Sequence, residues 1–410
     1  MTYLLKKFRL PLVLAVSFLD YLSFAFIIPH TYSLILAGPY SLVANSISNP
    51  MRYIILGGLL ATYPLAQILG NPILGAISDA LSRKRVLLIS FVGNFLGYAL
   101  SAYAIYSHQI LYLFLGNGLA GLTGANISTM NAIIADLSTL RKKARRFSLS
   151  IMTFGLAFII GPFISGQLIK PLSNFGQPVL FIFLLSAVLS LLNFMLISFF
   201  FHDTMRGMRI PKLHLRFIGQ DIRNLFNETK ELKAIFFSVF ALYFGWYFFI
   251  KFFRVLLLDR LHYTIEAYCN ILSYFGICCL IAQGIYTFFS TRIQEERVLK
   301  IAAPLLAFSI FSLAAIKAPF TILCAVTLFS FSYAIICPAL TFVVSEFGGS
   351  NHQGKVMGLF QSVQAIAQVL APSLAGLAMA AHPIAPILVS GVFVFSGGFL
   401  FNRAMKPAST

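Results

Sequence analysis

The sequence predicts an all-α integral membrane protein, twelve transmembrane helices in two pseudo-symmetric six-helix bundles. Three observations carry this. Of 410 residues, 59% are hydrophobic and only 10% charged, with mean hydropathy +0.87. A soluble chain usually carries about 25% charged residues, so this one lacks the polar groups to cover a water-facing surface. Twelve apolar runs are each long enough for a bilayer core, which needs roughly 20 residues per helix. A shift of 210 residues then superimposes parts of the second half on the first.

The runs fall at about 10–37, 53–77, 86–106, 110–135, 148–169, 178–201, 234–257, 266–290, 298–316, 319–345, 355–380 and 384–402. The first follows Lys6, Lys7 and Arg9 but is twice the length of a signal-peptide core and lacks a small-residue cleavage site, so it reads as a spanning helix. An even number of spans puts both termini on one side. Of the 30 Lys and Arg residues, 24 lie at the termini and in the loops after even-numbered spans. By the positive-inside rule these segments, and both termini, are cytoplasmic, which for a bacterial cell means an inner-membrane protein. The formal charge of +18 is thereby mostly a topology signal. It calls for no nucleic-acid partner, and the composition excludes disorder and a disulfide-stapled secreted module. The five cysteines (Cys269, Cys278, Cys279, Cys324, Cys337) sit in apolar runs without metal-ligand spacing and read as small packing residues.

The longest polar stretch, 202–233, divides the chain into an N-terminal bundle (1–201), a cytoplasmic linker and a C-terminal bundle (234–410). Within the linker, Phe217, Ile218, Ile222, Leu225 and Phe226 among Arg206, Arg209, Lys212, Arg216 and Arg223 are spaced for a short surface helix at an anionic leaflet. The 210-residue shift places Asp136 on Glu346, Arg145 on Lys355, Pro162 on Pro372 and Gly166 on Gly376. Each pair stands at the end of an even span, in a cytoplasmic loop, or in an odd span ending Pro-x-x-x-Gly. A parallel six-plus-six repeat is a transporter architecture with the solute site expected near the midplane.

Between spans two and three the chain reads Gly75-Ala-Ile-Ser-Asp79-Ala-Leu-Ser-Arg83-Lys84-Arg85. Gly75 is expected to let two helices approach closely. Asp79 is an acid placed to face a helix N-terminus, which carries about half a positive charge. Arg83 is in range of Asp136 at the end of span four, with Arg145 nearby, so Gly75, Asp79, Arg83, Asp136 and Arg145 form a candidate conformational latch. This segment resembles the cytoplasmic loop signature of the major facilitator superfamily, with Ser82 in place of a second glycine.

The resemblance runs over nearly the whole chain and is strongest to the tetracycline-type drug/proton antiporters. Leu19-Asp20 through Pro29 is similar to their first helix, and Ala120-Gly121-Leu-Thr-Gly124-Ala125 with Ala135-Asp136 to their fourth. Gly155, Gly161, Pro162 and Gly166 resemble the antiporter signature of helix five, with Ser165 replacing a glycine. Asp259-Arg260-Leu-His262 and Gln353-Gly354 through Gly358 also fit, while Thr291 to Arg297 is a degenerate second loop signature. The resemblance implies proton-coupled efflux of a drug-like compound by alternating access, with the Gly161–Pro162 break bending helix five between the halves. It implies no enzyme activity, metal or cofactor, and a monomer suffices. Family members place an arginine implicated in proton coupling where this sequence has Asn117.

Several polar residues in the spans are candidates for transport. Asp20 lies about ten residues, roughly 15 Å, into span one, and an acid at such depth marks a functional site by default. It is the expected proton carrier, with a structural acid hydrogen-bonded to a neighbouring helix as the alternative. Lys251 and Arg254 share a face of span seven with Tyr247. They either face a cavity, where they attract an anionic or carboxylate-bearing solute, or snorkel to the headgroups. Gln361, Gln364 and Gln368 make a polar stripe on span eleven. These glutamines and Asn94, Asn126 and Asn131 are either interhelical hydrogen-bond formers or solute contacts. Tyr243, Trp246 and Tyr247 are candidate pocket residues, and His30 is either a relay or a cap. Lys251, Arg254 and Asn117 motivate a second expectation, a proton-coupled or facilitated carrier of an anionic or zwitterionic metabolite such as a carboxylate siderophore or amino acid.

Overall fold

The computed structural model describes residues 2–36, 38–80, 82–138, 140–174, 176–202, 230–261, 263–289, 294–315, 318–347 and 349–405, with side chains omitted at 2–8, 76, 79–80, 140–145, 147–148, 230–231, 258–261, 315, 319, 347 and 349–355. The surface helix expected around 217–226, His262 and residues 291–293 lie outside the described residues. So do the side chains of Asp79, Arg145, Asp259, Arg260, Gln353 and Lys355.

Among the described residues there is no strand. Backbone N–H and C=O groups find no water in a bilayer core, and a helix satisfies them within one segment. The helices are α1 (Thr2–Thr31), α2 (Asn49–Ala80), α3 (Arg83–Ser107), α4 (Ile110–Leu122), α5 (Asn126–Leu137), α6 (Leu140–Ser173), α7 (Pro178–Phe200), α8 (Lys230–Leu261), α9 (Ile265–Phe289), α10 (Glu295–Ala315), α11 (Pro319–Phe347), α12 (Gly349–Ala381) and α13 (Ala385–Ala404). Together they provide 12 segments long and apolar enough to span a membrane, from Arg9–Leu34 to Ala385–Ala404. These are the runs read from the sequence, shifted by a few residues at their ends. Ends are marked by local chemistry. Ser82 caps α3 by accepting the Arg85 N–H at 3.2 Å, and His108, at φ 53°, closes its far end. Pro178 opens α7, where its missing N–H costs nothing.

Span four differs from expectation. It is two helices, α4 and α5, interrupted at Thr123–Ala125. Close crossings surround the interruption. A Cβ on Gly70 would collide with the Leu122 carbonyl, and one on Gly93 with the Thr123 side chain. The freed Gly124 carbonyl accepts a hydrogen bond from Gln67 Nε2 at 3.2 Å. Small residues thus admit neighbouring backbones, and a polar side chain repairs the interrupted ladder. Span five corrects the opposite expectation: α6 runs unbroken through Gly161–Pro162. Gly161 packs closely on Ala25 of α1.

The described residues fall into two compact units, lying within Met1–Ser48, Thr62–Leu215 and Thr264–Tyr274, and within Asn49–Ala61, Arg216–Tyr263 and Phe275–Thr410. In the first, α1 packs on α6 and α7, and α3 on α4 and α7. In the second, α8 packs on α12 and α13, and α10 on α11 and α13. Large apolar side chains such as Phe199, Phe288 and Phe320 are more than 70% exposed. That is the polarity of a lipid-facing surface and the reverse of a soluble protein.

Candidate functional site

Asp20 is buried, 4% exposed, in the first unit, where three helices converge on it. Asn94 of α3 donates its Nδ2–H to one carboxylate oxygen at 3.3 Å, and Asn126, the first residue of α5, donates to the other. The α4–α5 interruption makes this possible, because it turns the start of α5 toward α1. The Asp20 charge also acts on the hydroxyls of Tyr63 on α2 and Tyr98 on α3, and on its neighbour Tyr21. Tyr63 and Tyr98 went unnoticed in the sequence, where no spacing set them apart from the other 15 tyrosines. The sequence marks Asn94 and Asn126 as polar and leaves their partner open. Asn117 does not join them: its Nδ2 donates at 2.9 Å to Leu113 O, one turn back in its own helix. Asn131 lies farther along α5, where it accepts from Ser150 Oγ at 3.3 Å.

The second unit holds a different chemistry. Tyr243, Tyr247, Lys251 and Arg254 follow one another at intervals of four, four and three along α8, so they lie on one face. Arg254 is fully buried, 1% exposed, and so does not snorkel from a lipid-facing position. Lys251 is half-buried, and its ammonium has no ionic or hydrogen-bond partner among the described residues. Around them are aromatic rings. Tyr243 lies 6.2 Å from Tyr247 and 6.1 Å, edge-on, from Phe360 of α12. Its hydroxyl is within hydrogen-bonding reach of Gln364 and of Cys337 on α11. Trp246, the only tryptophan in the chain, stacks on Tyr333 with ring centroids 3.4 Å apart. Trp246 is therefore packed as a wall, not presented as a contact surface. Gln364 and Gln368 are half-buried and Gln361 is exposed. His30 is fully buried at the last turn of α1.

The latch candidates are partly assembled. Arg83 Nε lies 3.4 Å from Asp136 Oδ2, and Arg83 Nη1 donates to Ser78 Oγ at 2.9 Å. At Gly75 a Cβ would meet nothing within 4 Å among the described residues.

The helix-five signature has a geometric use at Gly166. A Cβ on Gly166 would sit 2.7 Å from Cys269 Cβ on α9. Beside it Lys170 pairs with Glu266 at 3.1 Å, and Ser273 Oγ donates to Ile159 O at 2.8 Å. Gly155 and Pro162 lie on α6, half-buried and buried respectively. In the second unit Gly376, which the 210-residue shift pairs with Gly166, meets α2 in the same way. A Cβ on Gly57 would lie 2.6 Å from Pro372 O and 3.2 Å from Gly376 Cα. Both copies of Pro-x-x-x-Gly thus bring a helix from one half of the chain onto one from the other.

The chain as a whole is similar to known proteins. The chain matches the Major Facilitator Superfamily model over residues 10–372. It is 29% identical over 334 residues to the class C tetracycline resistance protein of Escherichia coli, covering 77% of this chain and 78% of that one. To the human major facilitator superfamily domain-containing protein 10 it is 26% identical over 392 residues, covering 90% and 84%. Among solved structures it resembles the human organic anion transporter MFSD10, with TM-score 0.70 at 20% identity, covering 97% of this chain and 99% of that one. It also resembles a D-xylose–proton symporter, with TM-score 0.76 at 15% identity, covering 96% and 97%. With the twelve spans, the duplicated helix signature and the family match together, this chain belongs to the major facilitator superfamily of membrane transporters and is not an enzyme.

Proposed function

We propose that the protein is a proton-driven exporter of a drug-like compound, working by alternating access between two six-helix halves (1–201 and 234–410) as a monomer in the inner membrane, with both termini cytoplasmic. The observation that carries the reading is the buried Asp20 carboxylate, held by Asn94 and Asn126 from two other helices with no basic side chain against it among the described residues. An uncompensated acid deep in a membrane helix is costly to keep unless it serves transport. The tetracycline resistance relatives support export of such compounds. In this reading Asp79, Arg83, Asp136 and Arg145 latch the cytoplasmic side, and Gly155, Gly161, Pro162 and Gly166 shape helix five.

Lys251 and Arg254 favour a second reading, a carrier of an anionic or zwitterionic metabolite. The buried guanidinium and the ammonium, which has no partner among the described residues, share one face of α8 with Tyr247 and Tyr243, a set suited to an aromatic or carboxylate-bearing solute. Asn117 and Gln361 complete the candidate solute contacts.

A thermal-shift panel on the purified protein, at pH 6 and pH 8, separates the readings, because a ligand of the folded state raises the melting point with its saturation. Stabilisation by lipophilic drugs, with drug accumulation in everted vesicles abolished by Asp20→Asn, supports export. Stabilisation by carboxylates alone, lost in Lys251→Ala, overturns it in favour of the metabolite carrier.

A further inference from the structure

Asn94 and Asn126 each point their amide nitrogen at Asp20, and each leaves its amide oxygen buried without a hydrogen-bond partner among the described residues. Both side chains are only 3% exposed. A buried amide oxygen with nothing to accept is uncommon in a folded protein and calls for a reason. Two of them, from different helices, flank the same carboxylate.

An ionised carboxylate only accepts hydrogen bonds; a protonated one also donates through its O–H. Asparagine offers both faces on one rotor, two N–H donors and a carbonyl acceptor, exchanged by a half-turn about the terminal torsion. As the two amides stand, they suit the ionised acid. A proton arriving on an Asp20 oxygen would meet an N–H there, donor against donor. Rotating that amide brings its orphaned oxygen to the new O–H and restores the bond with the polarity reversed.

Other groups do not supply this. From the helices around it, the titratable side chains that Asp20 faces are Tyr21 on α1, Tyr63 on α2 and Tyr98 on α3. Among the described residues α5, α6 and α7 present it no Lys, Arg, His or acid, and Asn117 is engaged in its own helix.

We infer that Asn94 and Asn126 are proton-responsive positioning residues: when Asp20 takes up a proton, one of the two amides turns and its oxygen accepts the carboxyl O–H. The proton is bound at the Asp20 oxygen and no other bond is made or broken. The tie between α1, α3 and α5 thus persists in both protonation states while its donor direction switches, and no buried cation is required. The inference rests on the reading of Asp20 as the proton carrier.

Acid-minus-base infrared difference spectra of the purified protein test it. The wild type is expected to show a carboxylic-acid carbonyl band together with a side-chain amide band that moves when asparagine is isotope-labelled. Asp20→Asn should remove both. Asn94→Leu and Asn126→Leu should each alter the amide band while the carboxyl band stays. Because hydrogen bonds to charged groups are strong, each should also lower proton-driven transport by about tenfold or more. Asn94→Ser or Asn126→Thr, whose hydroxyls donate or accept by rotation, should restore much of that loss and guard against misfolding as the cause. A carboxyl band lost in Asp20→Asn with no labelled amide band in the wild type overturns the amide switch and leaves the proton carrier standing. Absence of the carboxyl band from the wild type overturns both.

Discussion

Replacing Gly166 by alanine tests whether the α6–α9 seam opens during transport. The new methyl would sit 2.7 Å from Cys269 Cβ and 3.1 Å from its Sγ. Carbon atoms prefer about 3.5–4.0 Å, so the two helices must separate by roughly 1 Å. Overpacking of this kind costs about 1–3 kcal/mol. The cost falls only on a state in which the helices touch, so a carrier that alternates escapes it in the other state. A bias of that size changes the ratio of states by about 5- to 150-fold. Cys269 reports it directly, being fully buried in the seam. With Cys278, Cys279, Cys324 and Cys337 replaced by alanine, Gly166→Ala should speed labelling of Cys269 by a membrane-impermeant maleimide by about tenfold or more. A lower melting temperature with unchanged labelling would show the seam to be constant packing and refute the argument. The Lys170–Glu266 pair beside it, with Lys170 80% exposed, should matter far less. Exposed pairs contribute about 0–1 kcal/mol, so Lys170→Ala should leave the melting temperature nearly unchanged.

Gly57→Ala should act on the α2–α12 seam as Gly166→Ala acts on α6–α9, and combining it with Gly376→Ala should cost less than the sum, since the first methyl already separates the helices; a melting series on the single and double variants checks this. Arg254→Ala, which empties a fully buried site, should lower stability by about 2–4 kcal/mol in chemical denaturation, whereas Lys251→Ala should mainly remove binding of carboxylate ligands in the thermal-shift panel. Asp79→Asn should slow transport while ligand-induced stabilisation stays near wild type, and normal turnover in that variant would sink the latch.

What the sequence made readable was whatever repeats along one helix or one loop. Hydropathy located the spans, because length and apolar content are local properties. The 210-residue shift joined Gly166 to Gly376 before either had a neighbour, and both prove to be points of close helix approach. The limits show where the neighbour decides. Gly75 stands in the most recognisable motif of the chain yet meets no close neighbour among the described residues, because a glycine spacing says that approach is permitted and not that it occurs in every conformation. Pro162 suggested an interruption in α6, which continues through it, while the real interruption at Thr123–Ala125 contains no proline. It stands against Gly70 and Gly93 from two other helices, a neighbourhood that pattern along one helix does not express.

That interruption also bears on which residues reach Asp20. Along an unbroken span four, a residue that faces α1 at one level commits those at three- and four-residue intervals to the same side, whereas interest in position 117 comes from the family resemblance alone. Restarting the helix at Asn126 resets that phase. The amide that meets Asp20 comes from the restart, and a second comes from Asn94 on a different helix. A fixed cation opposite a carboxylate stabilises the ionised form alone. Two amides serve the ionised and protonated forms alike, because each carries donor and acceptor on one rotor. For an acid that must be loaded and emptied in every cycle, the second arrangement keeps the three helices joined throughout. An Asn126→Lys variant, which supplies only donors, should therefore hold Asp20 ionised and abolish the carboxyl band and proton-driven transport together, even though the acid itself is intact.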